Sequence, residues 1–434
     1  MPRLRRDVAS IAIVGLGPVG LCSGVAFATQ GHRVVAVDID SKRRQEIARG
    51  KPPFYEKGIE AALRKVLRQK RFSVAETMEE AIGPSTVVFL CVGTPSRSDG
   101  SMDDGALRDA VKSLAAAWKD EKRRTVVVKS TVLPGTADGV VRPILEAAKR
   151  PFRLGVNPEF LREGRALEDA LRPDRIVLGA DGPETARILK GLYRSAKCPL
   201  FSTDVKTAEA VKYATNAFLA TKVAFADELA NLCDAFGISY DEVHKGLGLD
   251  PRINPRFLVP GVGFGGSCLP KDVRALVAAG RRRGAEPVLL EGVLAQNDQQ
   301  YLRAIARLEE ELGDLKGKRI ALLGLAFKGD TDDVRETRAV PIARTLLSKG
   351  ALVIGYDPLA GPAFSALLPE VKIADSAKEA LDGADGVVLQ ADWPAFSRLT
   401  AKDFLTAMAT PVVVDGRRIL DPKKMQGVRF RRIG

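Results

Sequence analysis

The stretch that decides the fold is Gly15-Leu16-Gly17-Pro18-Val19-Gly20. It follows an apolar run at residues 11–14 that is typical of a buried strand, and it precedes a segment that is typical of a helix. A second strand is predicted at residues 34–37 and ends at Asp38. Glycines in such a turn let the backbone approach a pyrophosphate closely, and the helix N-terminus attracts the phosphate charge. The unit therefore predicts dinucleotide binding, with Asp38 holding the ribose hydroxyls.

Asp38 also distinguishes between the two nicotinamide dinucleotides. A carboxylate at this position favours NAD, because it would repel the 2′-phosphate of NADP. The cations Lys42, Arg43 and Arg44 follow closely in the sequence and could bind that phosphate, so NADP stays an alternative. We expect NAD to be the cofactor.

Strands and helices continue to alternate along the chain. Further buried strands are predicted at residues 87–92, 125–128, 152–156 and 176–179, and segments of helical length separate some of them. Alternation of this kind is typical of a doubly wound parallel sheet, which places helices on both of its faces.

The second half of the chain repeats the opening unit. Its predicted elements are strands at residues 320–324, 352–356, 386–390 and 411–415 and a helix at 339–349. The turn glycine and the aspartate at the strand end have the same spacing in both halves, from Gly31 to Asp38 and from Gly350 to Asp357. The repeat predicts a second Rossmann-like domain.

One long helix is predicted between the two halves. Residues 203–236 contain neither Gly nor Pro, and Gly237 follows as a stop signal, with Thr203 or Asp204 as the N-cap. Apolar side chains recur at every seventh position, at Val211, Phe218, Phe225 and Leu232. Such a stripe indicates a packing seam, which suits a helix that links domains or forms a dimer.

Composition excludes several classes of protein. The 434 residues are 45% hydrophobic and 28% charged, which is typical of a globular chain of two or three domains. The longest apolar run, residues 87–92, is far shorter than the ~20 residues of a membrane-spanning helix. An apolar stretch at residues 9–28 resembles a secretory signal, but glycines and Pro18 interrupt it. We expect a cytoplasmic protein with no membrane partner.

The net charge of +13 does not by itself indicate a nucleic-acid partner. The basic residues form short, scattered clusters at residues 3–6, 42–44, 281–283 and 429–432. Apart from Phe430 no aromatic residue interleaves them, so we expect no nucleic acid to bind. Five widely spaced cysteines without a CxxC pair and only two histidines argue against a disulfide framework and against a metal site.

The most informative stretch for chemistry is Gly261-Val262-Gly263-Phe264-Gly265-Gly266-Ser267-Cys268-Leu269-Pro270-Lys271-Asp272. Its four glycines let the backbone approach a ligand closely. The thiol of Cys268 is followed by a cation, Lys271, and a carboxylate, Asp272. These residues alone fit a reactive thiol and a buried, inert cysteine equally well. The other four cysteines lie mostly in apolar segments, and we expect them to be inert.

Further motifs lie along nearly the whole chain. Besides the two glycine-rich stretches they are CVGTP (91–95), KSTVLPGT (129–136), NPEFLREG (157–164), GLAFK (324–328), TDDVRET (331–337), YDP (356–358), and Lys212-Tyr213 with Asn216. By these motifs, which occur in the family's order, the chain resembles the UDP-glucose/GDP-mannose dehydrogenase family of nucleotide-sugar dehydrogenases. Departures are few: Pro18 stands where the family usually has Tyr, Lys57 where Pro is common, and Thr337 where Ser is usual.

The resemblance implies an activity and a mechanism. The family oxidises a primary alcohol to a carboxylate in two NAD-dependent steps. The first hydride transfer gives an aldehyde, which a thiolate attacks to form a thiohemiacetal. The thiohemiacetal can give up a second hydride and become a thioester, from which water releases the acid. Cys268 is the nucleophile that this chemistry needs.

The family's motifs also imply roles for five other side chains. Lys212 and Asn216, four residues apart and facing one direction on the long helix, would polarise and hold the sugar oxygens. The resemblance makes Asp272 an activator of water, Glu159 a base in thioester hydrolysis and Thr131 a group that holds water. A second interpretation of Glu159 is that it caps its own loop.

Two larger sets of residues match binding motifs of the family. Those that match cofactor contacts are Gly15, Gly17, Pro18, Val19, Gly20, Asp38, Arg43, Thr94, Pro95, Ser130, Thr131, Glu163, Lys271 and Arg335. Those that match nucleotide-sugar contacts are Glu159, Phe160, Leu161, Glu163, Lys212, Asn216, Arg252, Val259, Gly261, Gly263, Phe264, Gly265, Phe327, Lys328 and Arg417. An inter-domain ion pair is the alternative for Arg335, and a loop cap is the alternative for Glu163.

Arg252 bears on the oligomeric state. It matches an arginine that in this family reaches the substrate of the neighbouring subunit, so we expect a homodimer or a higher homo-oligomer that forms through the central helix. Residues 172–175 and 250–253 look more like the UDP-glucose branch, and we expect oxidation of UDP-glucose to UDP-glucuronate. GDP-mannose is the alternative substrate.

Two alternatives of other classes remain. One is a one-step β-hydroxyacid-type dehydrogenase on a related architecture, and the other is a basic binding protein with an inactive Rossmann core. Cys268 separates the first alternative from the two-step enzyme, because a one-step dehydrogenase needs no thiol in its substrate loop.

The expected fold is α/β, with two Rossmann-like doubly wound parallel-sheet domains joined by a long central helix. The expected domains are an NAD-binding Rossmann domain at residues 1–202, the long helix with a helical dimerisation and substrate-loop region at 203–300, and a Rossmann-like nucleotide-sugar-binding domain at 301–434.

Overall fold

The computed structural model describes residues 8–434, so the basic cluster at residues 3–6 lies outside the described part. The chain divides into two compact units, of which the first ends at Thr215 and the second comprises Asn216–Gly434. The three-part division predicted from the sequence, with boundaries after residues 202 and 300, stays a prediction. Each unit contains one sheet.

The first unit is built on an eight-stranded sheet within the described residues. Its strands are β1 (Ser10–Val14), β2 (Arg33–Val37), β3 (Phe72–Val74), β4 (Val87–Leu90), β5 (Arg124–Val128), β6 (Phe152–Val156), β7 (Ile176–Ala180) and β8 (Leu200–Thr203). Their order is β3-β2-β1-β4-β5-β6-β7-β8, and the first six follow the doubly wound order. Helices on both sides of the parallel strands explain why β1 and β4 are continuous apolar runs. The predicted fold class is confirmed.

One pair of strands departs from the parallel arrangement. β7 runs antiparallel to β6, with Val156 opposite Gly179, and parallel to β8. The connection between β6 and β7 contains one short helix, Ala166–Leu171. Six helical residues rise about 9 Å, whereas a five-residue strand spans about 16 Å. The connection therefore contains less regular structure than the crossover helix of a parallel pair usually has. Periodicity alone carried no signal for this reversal.

The helices of the first unit follow its strands in turn. They are α1 (Pro18–Gln30), α2 (Ser41–Ala48), α3 (Ile59–Arg68), α4 (Met78–Ile82), α5 (Gly105–Ala117), α6 (Arg142–Ala147), α7 (Ala166–Leu171) and α8 (Pro183–Leu192). The core packs α1 side chains such as Leu21 and Val25 against the sheet residues Ile11, Ile13 and Phe89. This packing fixes α1, and with it the glycine turn that precedes the helix.

The predicted long helix is confirmed as α9, Val205–Phe236. Asp204 is its N-cap, because Asp204 Oδ1 accepts a hydrogen bond from the Thr207 N–H at 2.8 Å. The other candidate, Thr203, is the last residue of β8. Gly237 follows the helix with φ +68°, a left-handed conformation that glycine adopts without strain.

The second unit contains a six-stranded sheet among its residues. Its strands are β9 (Arg319–Leu323), β10 (Leu352–Tyr356), β11 (Lys372–Ile373), β12 (Gly386–Leu389), β13 (Val412–Asp415) and β14 (Arg429–Arg432), in the order β11-β10-β9-β12-β13-β14 with parallel pairing throughout. The predicted second Rossmann-like sheet is confirmed. The basic cluster at residues 429–432 is its edge strand, where Arg431 pairs with Glu311 and Arg432 lies 3.2 Å from Asp241.

The remaining helices are α10 (Tyr240–Gly248), α11 (Leu269–Arg281), α12 (Val288–Gln300), α13 (Leu302–Leu312), α14 (Ala339–Ser348), α15 (Gly361–Leu367), α16 (Ala377–Leu381) and α17 (Ala401–Ala407). A π-helical turn at Ala137–Val141 and two 3-10 turns at Phe396–Arg398 and Pro422–Lys424 complete the regular structure of the described chain. Among the helices of residues 8–434, none is both long enough and apolar enough to cross a membrane.

Candidate active site

The glycine turn of the first unit leaves room for a phosphate. Gly15 has φ +94°, and a Cβ there would lie 2.8 Å from the carbonyl oxygen of Cys91. A Cβ on Gly20 would overlap the carbonyl oxygen of Gly15. Gly17 is the N-cap of α1 and contributes no side-chain hydrogen bond to the helix. A helix N-terminus without a side-chain cap offers its N–H groups to an anion, so these residues fit a dinucleotide pyrophosphate.

Asp38 lies beside this turn at the end of β2. Its Oδ2 accepts hydrogen bonds from the Leu16 N–H at 2.6 Å and from Arg43 Nη1 at 3.1 Å. Its Oδ1 accepts from the Asp40 N–H at 2.9 Å. The structure thus brings together the glycine turn, Asp38 and Arg43, three parts of the predicted cofactor site.

Two loops at the carboxyl ends of β4 and β5 are tied together. Ser130 Oγ donates to the Val92 carbonyl at 2.7 Å, and Thr94 Oγ1 donates to the Thr131 carbonyl at 2.7 Å. Glu209 of α9 holds the same segment further on, since its carboxylate accepts from the Gly135 N–H at 2.5 Å and the Ala137 N–H at 2.8 Å. Burial raises the pKa of Glu209 to about 7, although these two bonds favour its ionised form. No sequence motif indicated a role for Glu209.

Glu159 and Lys212 form a buried ion pair at 2.9 Å in the first unit. Glu159 Oε2 also accepts from the Leu161 N–H at 2.6 Å, so this carboxylate caps its loop as well. Burial by itself raises the pKa of Glu159. The charge and the hydrogen bond of Lys212 lower this pKa by more than burial raises it, so the pKa lies below its ordinary value. The Phe160 ring lies 5.5 Å from Lys212 Nζ and 3.9 Å from the Arg175 guanidinium.

Lys129 begins the KSTVLPGT motif, which by itself predicted no role for this lysine. Lys129 Nζ donates to Asn157 Oδ1 at 2.9 Å, and Tyr193 O–H donates to the same oxygen. Burial lowers the pKa of Lys129, while the charges of Cys91 and Glu159 raise it. A lysine that directly follows the buried strand β5 was the available signal, because buried lysines are rare unless they are paired.

In the second unit Cys268 is the N-cap residue of α11. Asp272 lies in the first turn of that helix and is 2% exposed. Asp272 Oδ2 accepts from Asn216 Nδ2 at 2.6 Å, and Oδ1 lies 2.5 Å from Lys271 Nζ. A helix N-terminus favours a thiolate, because its N–H groups carry partial positive charge. The structure therefore groups the predicted thiol with Asp272, Asn216 and Lys271.

Arg417 supports the glycine-rich segment of the same unit. Its guanidinium donates to the carbonyls of Gln390 at 2.5 Å, Gly263 at 3.0 Å and Phe327 at 3.3 Å. The Phe327 ring packs against Gly266, where a Cβ would lie 2.6 Å from the ring. Three predicted substrate contacts, Arg417, Gly263 and Phe327, are thus in one network.

Other predicted residues are more exposed. Arg252 has an 87% exposed side chain and pairs with Asp250 at 2.5 Å, and Val259 is also exposed. Arg335 pairs with Asp333 of its own unit at 2.7 Å. Lys328 Nζ lies 5.7 Å from the Phe327 ring.

The predicted site residues fall into two sets by unit. The first unit contains Gly15, Gly17, Pro18, Val19, Gly20, Asp38, Arg43, Thr94, Pro95, Ser130, Thr131, Glu159, Phe160, Leu161, Glu163 and Lys212. The second contains Asn216, Arg252, Val259, Gly261, Gly263, Phe264, Gly265, Cys268, Lys271, Asp272, Phe327, Lys328, Arg335 and Arg417. Their roles as ligand contacts stay predictions.

Comparison with known families gives three matches along the chain. Residues 9–197 match the NAD binding domain of the UDP-glucose/GDP-mannose dehydrogenase family, residues 206–299 match its central domain, and residues 321–422 match its UDP binding domain.

Individual relatives agree with this assignment. A UDP-glucose 6-dehydrogenase of Haloferax volcanii is 42% identical over 422 residues, which are 94% of this chain and 97% of the relative. A UDP-glucose 6-dehydrogenase of Bacillus subtilis is 38% identical over 431 residues, 98% of this chain and 97% of the relative. The solved UDP-glucose dehydrogenase of Pyrobaculum islandicum superposes with a TM-score of 0.92 at 39% identity and covers 100% of this chain and 99% of its own.

A glycine turn before a helix in one unit and a cysteine at a helix N-terminus in the other, together with these relatives, define an oxidoreductase. The chain belongs to the UDP-glucose/GDP-mannose dehydrogenase family.

Proposed function

We propose that the chain oxidises UDP-glucose to UDP-glucuronate with NAD, in two steps that share a covalent intermediate on Cys268. The observation that carries the proposal is the position of Cys268 at the N-terminus of α11, one helical turn before the buried carboxylate Asp272. The substrate follows from the relatives named UDP-glucose 6-dehydrogenases, which match this chain over nearly its full length.

The first unit would bind and orient the cofactor. The open N-terminus of α1 fits the pyrophosphate, and Asp38, held by the Leu16 and Asp40 N–H groups, fits the ribose hydroxyls. When bound, NAD accepts the hydride in each of the two oxidations. Ser130 and Thr94 keep the adjoining loops in place through their bonds to backbone carbonyls.

Lys212 supplies the positive charge of the first step. The oxidation of a primary alcohol requires the loss of the hydroxyl proton and the development of negative charge on oxygen. The Lys212 ammonium, held by Glu159 at 2.9 Å, would stabilise this charge in a buried setting where water does not screen it. Glu159 stays ionised near neutral pH, because its pKa lies below the ordinary value. It can then act as a base in the later hydrolysis.

Cys268 carries the covalent steps. Its thiolate adds to the aldehyde carbon, and the carbonyl oxygen takes up a proton to give a thiohemiacetal. Loss of a hydride and a proton leaves a thioester, and water then displaces the thiolate and releases the carboxylate. Asp272, held by Asn216 and Lys271, would orient and activate that water. One turnover consumes two NAD and one water molecule.

A homodimer through α9 is part of the proposal. Along its heptad stripe Phe218 is 65% exposed, Phe225 53% and Leu232 47% in the single chain. Three large apolar side chains exposed at regular spacing are typical of a helix that packs against another copy. Arg252 is exposed as well, which allows the predicted reach to a neighbouring subunit.

The deciding experiment counts NADH per nucleotide sugar consumed, with UDP-glucose and GDP-mannose offered separately. Two NADH per UDP-glucose with an acid product is the expected result. One NADH per sugar would favour the one-step dehydrogenase. Turnover of GDP-mannose alone would show that GDP-mannose, and not UDP-glucose, is the substrate. No reduction of NAD with either sugar would contradict the proposed function.

A cysteine variant tests the covalent step. Cys268→Ser should lower the rate of acid formation more than about a thousandfold, an effect of the size seen when a nucleophile is removed. Cys198→Ser is the matched control, because Cys198 is a partly buried cysteine that the site does not use. Unchanged acid formation in Cys268→Ser would remove the thioester from the mechanism.

A further inference from the structure

Buried side chains hold the segment at residues 259–265, here called the glycine loop, and the family motifs did not single them out. The backbone N–H and the carbonyl of Gly261 both form hydrogen bonds with buried side chains. Asp227 Oδ1 of α9 accepts from the Gly261 N–H at 2.7 Å, and Gln300 Nε2 of α12 donates to the Gly261 carbonyl at 2.8 Å. Asp227 is 0% exposed and Gln300 is 1% exposed.

A single amide side chain holds the loop a second time, at Phe264. Asn297 Oδ1 accepts from the Phe264 N–H at 2.7 Å, and Asn297 Nδ2 donates to the Phe264 carbonyl at 3.1 Å. Asn297 is 1% exposed and precedes Gln300 by three residues on α12, so both amides lie on one face of that helix.

The orientation of the Gln300 amide is set by its other neighbours. Gln300 Oε1 accepts from Asn231 Nδ2 at 2.9 Å and from Gln296 Nε2 at 3.0 Å. With its oxygen facing two donors, the Gln300 NH₂ group must face the Gly261 carbonyl. The neighbours of Gln300 therefore fix which end of its amide faces the loop, and the Gly261 carbonyl receives a hydrogen bond from the NH₂ group.

A glycine-rich loop needs such support. Glycine loses more conformational entropy on ordering than any other residue, and Gly261, Gly263 and Gly265 have no side chains with which to pack. Gly263 has φ +92°, and a Cβ there would lie 2.7 Å from Asn297 Oδ1. The loop must then be ordered by groups outside it. A loop ordered before its ligand arrives binds more tightly, because the entropy has already been lost.

We propose that Asp227, Asn297 and Gln300 are positioning residues that fix the backbone of the glycine loop in its ligand-binding conformation. The identity of the ligand, UDP-glucose, rests on the proposed function, whereas the role of these three side chains in fixing the loop backbone does not. The three residues act through Gly261 and Phe264 and do not themselves touch the ligand.

The first test replaces Asn297 by leucine, which has a similar volume and leaves both polar groups of Phe264 without a partner. We expect the KM for UDP-glucose to rise about tenfold, while the KM for NAD, which the first unit binds in our proposal, stays within about twofold. Amide hydrogen exchange of the glycine loop should accelerate about tenfold in the ligand-free protein, while exchange of β9 stays unchanged. Gln299→Leu is the matched control, since Gln299 is an exposed amide on the same helix.

The second test is a pair of variants at Asp227. Asp227→Asn keeps an oxygen for the Gly261 N–H and should leave both the loop exchange and the KM for UDP-glucose near those of the parent. Asp227→Leu removes the acceptor and should resemble Asn297→Leu. A merely structural role would instead lower thermal stability in both units without separating the two KM values.

The outcomes separate this proposal from the proposed function. Accelerated exchange of the loop in a protein that does not oxidise UDP-glucose would leave the positioning role intact and contradict only the function. Unchanged loop exchange and unchanged KM in Asn297→Leu and Asp227→Leu would overturn the positioning role, whatever the substrate is.

Discussion

The two units begin with the same local structure and use it differently. Gly15 and Gly324 have φ +94° and +97°. Each N–H donates at 2.8 Å to the carbonyl oxygen of the last residue of the next strand, which is Val37 of β2 for Gly15 and Tyr356 of β10 for Gly324. Asp38 and Asp357 directly follow those strands and have similar burial, 7% and 6% exposed. Up to this point the two copies of the motif have nearly the same geometry.

The donors around the two carboxylates differ. Asp38 accepts from two backbone N–H groups and from Arg43, a partly exposed side chain. Asp357 accepts from the N–H groups of Leu325, Ala326, Leu359 and Ala360 and from Trp393 Nε1 at 3.0 Å. Five protein donors fill the carboxylate of Asp357. Strand, glycine and aspartate at fixed spacing therefore do not determine which donors surround the carboxylate, because those donors come from the segments that follow.

The turn that follows the first strand differs as well. In the first unit α1 starts at Pro18, just after the glycine turn, and in the second unit α14 starts only at Ala339. The longer segment contains Phe327, Lys328 and Arg335, three of the predicted ligand contacts. Asp357 holds the start of this segment through Leu325 and Ala326, so its carboxylate has become structural.

The largest expected effect is on stability, in Asp357→Ala. Removal of a carboxylate that five donors surround leaves buried N–H groups without partners, at about 1–3 kcal/mol for each group that water cannot reach. We expect the melting temperature to fall by about 6 °C or more and the KM for NAD to stay unchanged. The exposed Asp382→Ala is the control. A raised KM for NAD with unchanged stability would contradict the contrast between the two units.

Asp38→Ala is the counterpart in the first unit. Loss of the carboxylate that fits the ribose should raise the KM for NAD about ten- to a hundredfold. Arg43 also loses its ion pair with Asp38, so the preference for NAD over NADP should fall. Steady-state kinetics with both dinucleotides measure this, and Asp357→Ala provides the comparison. Unchanged KM for NAD would mean that Asp38 is as structural as Asp357.

Asp227 extends the comparison, because within residues 8–434 this buried carboxylate accepts one hydrogen bond, from the Gly261 N–H, whereas Asp357 accepts five. Burial raises the pKa of Asp227 to about 8, from an ordinary value of 3.8. A raised carboxyl pKa gives stability that is present at low pH and is lost as the pH rises from about 4 through 8.

The charged or titratable neighbours of Asp227 are Arg417 and Tyr240. Asp227→Asn removes the titration, so its stability relative to the parent should increase with pH and exceed that of the parent by about 1 kcal/mol or more at pH 9. Thermal melts from pH 5 to pH 9 measure this. A difference that is independent of pH would show that Asp227 is ionised throughout.

Trp393→Phe gives the smallest expected effect and isolates one of the five donors to Asp357. Loss of the indole N–H should lower the free energy of unfolding by about 1 kcal/mol and leave NAD binding unchanged. Trp118→Phe is the matched control, because Trp118 Nε1 is buried with no hydrogen-bond partner within residues 8–434. Equal losses in the two variants would mean that the Trp393 bond contributes nothing beyond packing.

Local signals explain what could be predicted of the fold and the candidate site. Apolar runs bounded by glycine predicted β1, β2, β9 and β10, and the absence of Gly and Pro predicted α9. The thiol and Asp272 could be paired from their spacing, since four residues make one helical turn. The strand β14 was missed, because four residues with three arginines have no apolar signal, and their charges are tolerated only at a sheet edge.

Contacts between distant segments could not be predicted. Asn297 and Phe264 are 33 residues apart, and Glu209 and Ala137 are 72 apart. A polar residue in a helix usually faces water, and the sequence gives no sign that Asn297 and Gln300 face a loop instead. The antiparallel pairing of β6 with β7 could not be predicted for a similar reason. It depends on the path of the connection between the strands and not on the residues of the strands themselves.

The sequence by itself determined the secondary structure around both glycine turns, the long helix and the family, because backbone sterics and apolar periodicity act over a few residues. The tertiary structure alone decided which donors surround each of the two aspartates, with Trp393 beside Asp357, and which buried polar groups hold the glycine loop. The reason is that a buried polar group must find its partner wherever the fold places one, at any distance along the chain.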